Sequence, residues 1–80
     1  MKFKDAIVER FIQICAERGI SYTLLATQAG VTPSTVYSML DPSRRDVSAS
    51  TVKKLCDGLE LSIIVFFDSE LFRDLLPETE

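Results

Sequence analysis

One side of the first predicted helix, residues 5–18, carries apolar side chains at i, i+4, i+7 and i+8. These are Ile7, Phe11, Ile14 and Cys15. That spacing is typical of a helix with a single buried stripe. Gly19 follows, and glycine ends helices because it adopts a left-handed conformation at little cost.

The next stretch, "LLATQAGVTPSTVYSML", predicts two short helices over residues 22–29 and 33–40. Gly30 supplies the left-handed backbone that ends the first of them. Ser21 can cap the first helix, and Thr32 is placed to cap the second. Pro33 fits the first position of the second helix, where the missing N–H is no loss. The chain therefore turns sharply between two helices that must cross steeply.

The second half of the chain begins with a polar loop, "PSRRDVSAS", and Ser48 is placed to cap a fourth helix over residues 49–58. Gly58 weakens the last turn of that helix. Its inward positions are Val52, Leu55, Cys56 and Leu59.

The run "IIVFF" fits a strand or a helix, because short apolar runs are ambiguous. Four preceding helices and a capping Ser62 favour a helix over residues 62–68. The fold predicted is therefore all-α with five helices. We expect a single domain over residues 1–76 and a frayed acidic tail over 77–80.

The central stretch has the small or apolar residues that a helix-turn-helix needs at its turn and packed face. These are Ala26, Gly30, Val31, Val36 and Met39. In such a motif the second helix stands clear of the surface and can enter the major groove of DNA. The alternative is an ordinary helical hairpin in a small bundle.

Composition argues against catalysis. The chain has 80 residues, no histidine and two scattered cysteines, so it lacks the commonest general base and metal ligand. We therefore expect no enzyme activity, no cofactor, no metal and no small-molecule ligand. No run approaches the roughly 18 apolar residues that span a bilayer, and no secretory signal is evident, so a cytoplasmic protein without membrane partners is expected.

The net charge of the whole chain does not decide whether it can bind DNA, because the charges are unevenly distributed along the sequence. The formal charge is −3 and the pI about 4.8, yet residues 57–80 hold one arginine against seven acids. Residues 19–56 hold four cations against Asp41 and Asp46. Local charge near the turn is therefore positive, which is compatible with DNA.

Beyond these patterns, "GISYTLLATQAGVTPSTVYSML", the polar loop, "SASTVKKLCDGLELS" and the later "FF" resemble the λ-repressor/Cro (Xre) family of five-helix DNA-binding domains. The resemblance covers about residues 7–67. It implies a sequence-specific transcriptional regulator, a bacterial or prophage repressor, with an operator in double-stranded DNA as its partner. It also implies a homodimer.

The resemblance also assigns roles by position. Residues facing base edges would be Pro33, Ser34, Tyr37 and Ser38. Residues facing phosphates would be Tyr22, Thr35, Arg44, Arg45 and Ser48. For the two arginines the alternative is a solvated loop in which Asp46 neutralises one of them, and for Tyr37 it is a contact with protein.

The chain departs from the family pattern in two places. The family often pairs an arginine near the end of the first helix with a glutamate at the end of the third, where this chain has Cys15 and Leu40. Because both members of the ion pair are replaced by apolar residues, no buried charge is left without a partner. We therefore interpret the change as compensated packing. The third helix also lacks Arg, Lys, Gln and Asn, the residues best suited to bidentate base contacts, so base readout should be modest.

Surplus apolar positions suggest a dimer face. The residues are Val8, Ile12, Ile64, Val65, Phe72 and Leu75, with Leu76 beside them. The alternative is that the C-terminal segment folds back over the first helix of its own chain. A rival function uses the same region: an antitoxin-like interaction module in which residues 60–76 cover a basic target.

Overall fold

The computed structural model describes residues 1–77, and all the regular structure in that part of the chain is helical, as the sequence predicts. The five α-helices are α1 (Phe3–Arg18), α2 (Tyr22–Ala29), α3 (Pro33–Leu40), α4 (Ala49–Gly58) and α5 (Ile63–Phe67), and a 3-10 helix follows at Glu70–Phe72. The "IIVFF" run is therefore helix, as predicted. The frayed tail expected at 77–80 lies, except for Pro77, outside the described residues.

Two predicted boundaries and one omission need correction. Helix α1 begins at Phe3 rather than at residue 5, because only Lys2 adopts extended backbone and nothing after it breaks the helix. Helix α5 spans 63–67 rather than 62–68, because Ser62 is its cap and Asp68 leaves the helical region at ψ 75°. The 3-10 helix was not predicted, since three residues carry no periodic pattern.

Helix starts follow the predicted capping chemistry. The hydroxyl oxygens of Ser21, Thr32, Ser48 and Ser62 each accept a hydrogen bond from the backbone N–H three residues later. Each cap satisfies one of the donors that a helix N-terminus leaves free. These bonds fix where the short helices begin.

All five α-helices contribute buried residues to one core. Phe11 and Phe66 are fully buried, and their ring centroids lie 4.5 Å apart. Helix α2 packs against both α3 and α4, so it connects α3 with the rest of the core. Other core residues are Ile7, Ile14, Leu25, Ala26, Val36, Met39, Val52, Leu55 and Leu59.

Both cysteines are buried free thiols in this core. Burial raises the pKa of the Cys15 thiol, and burial raises the pKa of Cys56 to about 11. Protonated, desolvated thiols are poor nucleophiles. The two cysteines therefore pack in the core as small apolar side chains do. Leu40, the other substituted position, is partly buried against the same core.

The C-terminal segment packs on α1 of the same chain. The 3-10 helix contacts α1, and the Leu76 N–H donates to the Met1 carbonyl at 3.2 Å. Phe72 lies 4.8 Å from Phe67 and 5.9 Å from Phe66, ring centroid to ring centroid. An aromatic cluster therefore joins the two ends of the chain.

Three cations of α1 tie the helix to the ends of other elements. Lys4 Nζ donates to the Asp41 carbonyl at 2.8 Å, and Arg18 donates to the Leu59 carbonyl at 2.6 Å. Arg10 donates to the carbonyls of Phe66 and Val65 at 2.7 and 3.0 Å. Each cation meets carbonyls at a helix C-terminus, where positive charge is favourable.

Gly58 is required by close helix approach. A Cβ atom at Gly58 would lie 2.7 Å from the Cα and N atoms of Ala29. Those atoms are backbone, so they cannot yield as a flexible side chain would. The glycine therefore lets α4 lie directly against the end of α2.

Replacing Gly58 with alanine is expected to destabilise the protein. Alanine favours a helix over glycine by about 1 kcal/mol, whereas the clash with the Ala29 backbone should cost about 1–3 kcal/mol. The net loss of stability should therefore be up to about 2 kcal/mol. Urea unfolding followed by circular dichroism measures the difference, with Lys54→Ala on the exposed side of α4 as control. A variant more stable than the parent would show that the two helices separate easily.

Candidate nucleic-acid interface

The turn between α2 and α3 is built by Gly30 and the residues on either side of it. Gly30 adopts φ 71°, and its N–H donates to the Thr27 carbonyl at 3.2 Å. The Val31 N–H donates to the Ala26 carbonyl at 3.0 Å. These bonds close α2, and the φ value is one that only glycine adopts readily.

The inner side of α3 is held on the core while its outer side faces solvent. Val36 and Met39 are buried, as is Ala26 on α2, and Val31 is half-buried. Pro33, Ser34 and Ser38 are exposed. The helix therefore presents short polar side chains on its free side.

Tyr37 is the largest side chain on this exposed side. It is 52% exposed, and its ring meets the ring of Tyr22 edge-on at 6.1 Å between centroids. Tyr22 is half-buried at the start of α2. The structure therefore gives Tyr37 a protein contact and leaves about half of its surface free.

Thr35 is engaged within its own helix start. Its N–H donates to Thr32 Oγ1 at 3.4 Å, and its hydroxyl lies 3.0 Å from the same oxygen. Ser34 Oγ lies 3.0 Å from Thr32 Oγ1 as well. Three hydroxyls thus form one polar cluster at the N-terminus of α3.

Hydrogen bonds to Asp41 shape the first part of the loop after α3, up to Arg44. The Asp41 carboxylate accepts hydrogen bonds from the Ser43 N–H at 2.9 Å and the Ser43 hydroxyl at 2.8 Å, and these bonds lower the pKa of the Asp41 carboxyl. The Arg44 N–H donates to the Asp41 carbonyl at 3.0 Å. That carbonyl is the one that Lys4 also binds.

Arg44 and Arg45 are exposed cations. The ion pairs within residues 1–77 are Lys53–Asp57 and Arg73–Asp68, so neither arginine forms an ion pair with Asp46. Their guanidinium groups are therefore free to meet an external anion.

A groove of about 160 Å³ lies between α3 and the start of α4. It is lined by residues from three separate parts of the sequence: Thr35, Ser38, Arg44, Asp46, Ser48 and Thr51, with Met39 and Val47. Ser48 is exposed, and its hydroxyl caps α4 through the Thr51 N–H at 3.1 Å. The fold thus brings residues expected to face bases and phosphates to one groove.

Residues expected to form a dimer face do not share one exposed surface. Ile64 is 81% exposed and Val65 is 50% exposed, both on α5. Val8, Ile12, Phe72 and Leu75 are half-buried. Phe72 takes part in the aromatic cluster. The exposed members of the expected face are therefore Ile64 and Val65 on α5, together with Leu76, which is 55% exposed.

Lys2 and Lys4 were missed by the sequence analysis. They line a second cleft, of about 450 Å³, together with Arg44 and Arg45. Lys4 is only 8% exposed. Its position one turn before Ile7 on the buried stripe of α1 is the signal that could have singled it out.

No group of three His, Cys, Asp or Glu side chains within residues 1–77 is placed to hold a metal ion. No helix in this same range is long and apolar enough to cross a bilayer.

Comparison with known proteins agrees with the geometry of the turn. The family model for the Cro/C1-type HTH DNA-binding domain matches residues 10–64, which include all of α2, α3 and α4. No curated protein and no solved structure shows significant similarity to the chain. The match covers more than half of the sequence. The chain therefore belongs to the Cro/C1-type helix-turn-helix family of DNA-binding domains.

Proposed function

We propose that this protein is a sequence-specific transcriptional repressor of a bacterial or prophage promoter, with α3 reading the major groove. The observation that carries the proposal is the free side of α3. It presents Pro33, Ser34, Tyr37 and Ser38 to solvent beside the unpaired Arg44 and Arg45. A recognition helix needs this combination of exposed base-facing residues and flanking cations.

The proposed readout relies on few direct base contacts. Serine hydroxyls pair with either kind of base edge, and bidentate side chains are missing from α3. Half of the Tyr37 surface remains available for a thymine methyl or a sugar. Discrimination would therefore depend strongly on DNA shape and on the spacing of two half-sites.

In this proposal the protein binds its operator as a homodimer. Ile64 and Val65 on α5 form an exposed apolar surface that a second copy would cover. Two recognition helices about 34 Å apart would then meet successive major grooves on one face of the operator. Repression would follow from occupation of the promoter.

Binding to a labelled fragment of the gene's own promoter tests this function. A shuffled fragment of the same length and composition is the matched control. We expect the promoter to bind at least ~1,000-fold more tightly, as specific sites do relative to non-specific DNA. Equal affinity for both fragments would contradict sequence-specific recognition. No binding at low salt, over a wider set of promoters, would favour the interaction module of residues 60–76.

A further inference from the structure

A cationic cleft adjoins the groove along α3, with which it shares Arg44 and Asp46. It is formed by the N-terminal turn of α1 and the loop between α3 and α4, and its volume is about 450 Å³. Its charged lining consists of Lys2, Lys4, Arg44 and Arg45, with Asp5 and Asp46. Four cations against two carboxylates leave the cleft positive in a protein whose net charge is −3.

Lys4 makes this cleft more than a patch of surface charge. Its side chain is more than nine-tenths buried, and its ammonium donates one hydrogen bond, to the Asp41 carbonyl at 2.8 Å. An ammonium carries three donors, and no other acceptor within residues 1–77 takes the remaining two. The Asp41 carboxylate supplies one nearby negative charge. The two remaining donors of the Lys4 ammonium are open to a further anion that enters the cleft.

The cations around Lys4 are available to such an anion. Arg44 and Arg45 form no ion pair within the described part of the chain, although Asp46 lies in the same cleft. The Lys2 ammonium is exposed, and its contact with the Pro77 carbonyl is long, at 3.5 Å. Two guanidinium forks and two ammonium groups suit an oxyanion with several acceptor oxygens.

We propose that this cleft binds a phosphate group, with Lys4 at its buried side and Lys2, Arg44 and Arg45 around it. The phosphate belongs either to the DNA backbone or to a free phosphate compound. In the first case the inference rests on the proposed function and extends the DNA contact from the loop to α1. In the second case the cleft is a ligand site that does not depend on DNA.

The first arm of the test uses inorganic phosphate alone. Amide shifts of ¹⁵N-labelled protein are followed during titration with phosphate at constant ionic strength, with chloride as the reference. We expect saturable shifts at residues 2–5 and 42–46, which Lys2→Gln/Arg45→Gln weakens at least severalfold. Lys54→Gln, an exposed cation outside the cleft, should leave the titration unchanged.

The second arm measures the salt dependence of promoter binding for Lys2→Gln and Lys54→Gln. A backbone phosphate in the cleft predicts a log–log slope flatter by about 0.9 in Lys2→Gln alone. Saturable phosphate shifts with no change of slope, or with no DNA binding by the parent protein, assign the cleft to a free phosphate compound. No saturable shift, together with equal slopes in both variants, would overturn the site.

Discussion

Replacing Phe66 with alanine is expected to remove most of the protein's stability. The ring is fully buried, and its centroid lies 4.5 Å from that of Phe11 and 4.9 Å from that of Phe67. Truncating a buried phenylalanine costs about 3–5 kcal/mol, which includes the cavity left behind. Domains of this size stand near the low end of the usual range of about 5–15 kcal/mol.

The loss should also reach the middle of α1, through Arg10. The Arg10 guanidinium lies 6.0 Å from the Phe66 ring centroid and binds the Phe66 carbonyl at 2.7 Å. Urea unfolding measured by circular dichroism gives the change in free energy. Ile64→Ala on the same helix is the matched control, because Ile64 is 81% exposed and surface substitutions change stability by less than about 0.5 kcal/mol. Similar small losses in both variants would show that α5 does not belong to the core.

Removing both loop arginines should give the largest change in DNA affinity. In Arg44→Ala/Arg45→Ala we expect binding to weaken about 30-fold near 0.1 M salt, which corresponds to about 1 kcal/mol for each charge-assisted contact. The log–log salt slope should become flatter by about 2, because each lost phosphate contact removes about 0.9. Fluorescence anisotropy with the promoter fragment at four salt concentrations measures both quantities.

The control for this variant must lose the same charge elsewhere. Lys54→Ala/Arg73→Ala also removes two cations, and both of these side chains are exposed. If both double variants bind DNA equally weakly and show equally flattened salt slopes, the two arginines affect DNA binding only through the net charge of the protein. A folded double variant at Arg44 and Arg45 with unchanged slope would place the phosphate contacts elsewhere.

Local chemistry made much of the fold predictable. The caps at Ser21, Thr32, Ser48 and Ser62 depend on a hydroxyl three residues before an amide, and the turn at Gly30 depends on a single left-handed residue. Both signals are complete within four residues of sequence. They fixed where four helices begin, and the family pattern supplied how α2 and α3 cross.

Features that depend on distant parts of the chain were not predictable. From the sequence, Gly58 only weakens the end of α4. The structure shows that a Cβ atom at this position would lie 2.7 Å from backbone atoms of Ala29. Lys4, Arg10 and Arg18 each reach a carbonyl at least 37 residues away in sequence, and nothing in the sequence near them indicates which carbonyl that is. Neither the close approach nor these bonds leave a local pattern.

The surface available for a dimer was also not predictable from local sequence, as the C-terminal segment shows. Sequence alone left open whether its apolar residues cover α1 or face a second copy. In the structure Phe72 packs among Phe3, Phe66 and Phe67, with edge-on or tilted rings, which assigns it to the chain's own aromatic cluster. Ile64 and Val65 remain exposed, so the proposed dimer depends on a smaller surface than the sequence suggests.

The most direct test of the account is a map of the DNA contact on the protein. Amide shifts of ¹⁵N-labelled protein would be recorded with and without the promoter fragment at low salt. If α3 reads DNA, the largest amide shifts should occur at residues 33–38 of α3 and 44–48 of the loop. Amides of α5 should shift only where two copies of the chain meet. Shifts confined to residues 60–76, or none at all, would contradict the assignment of α3 as the helix that reads DNA.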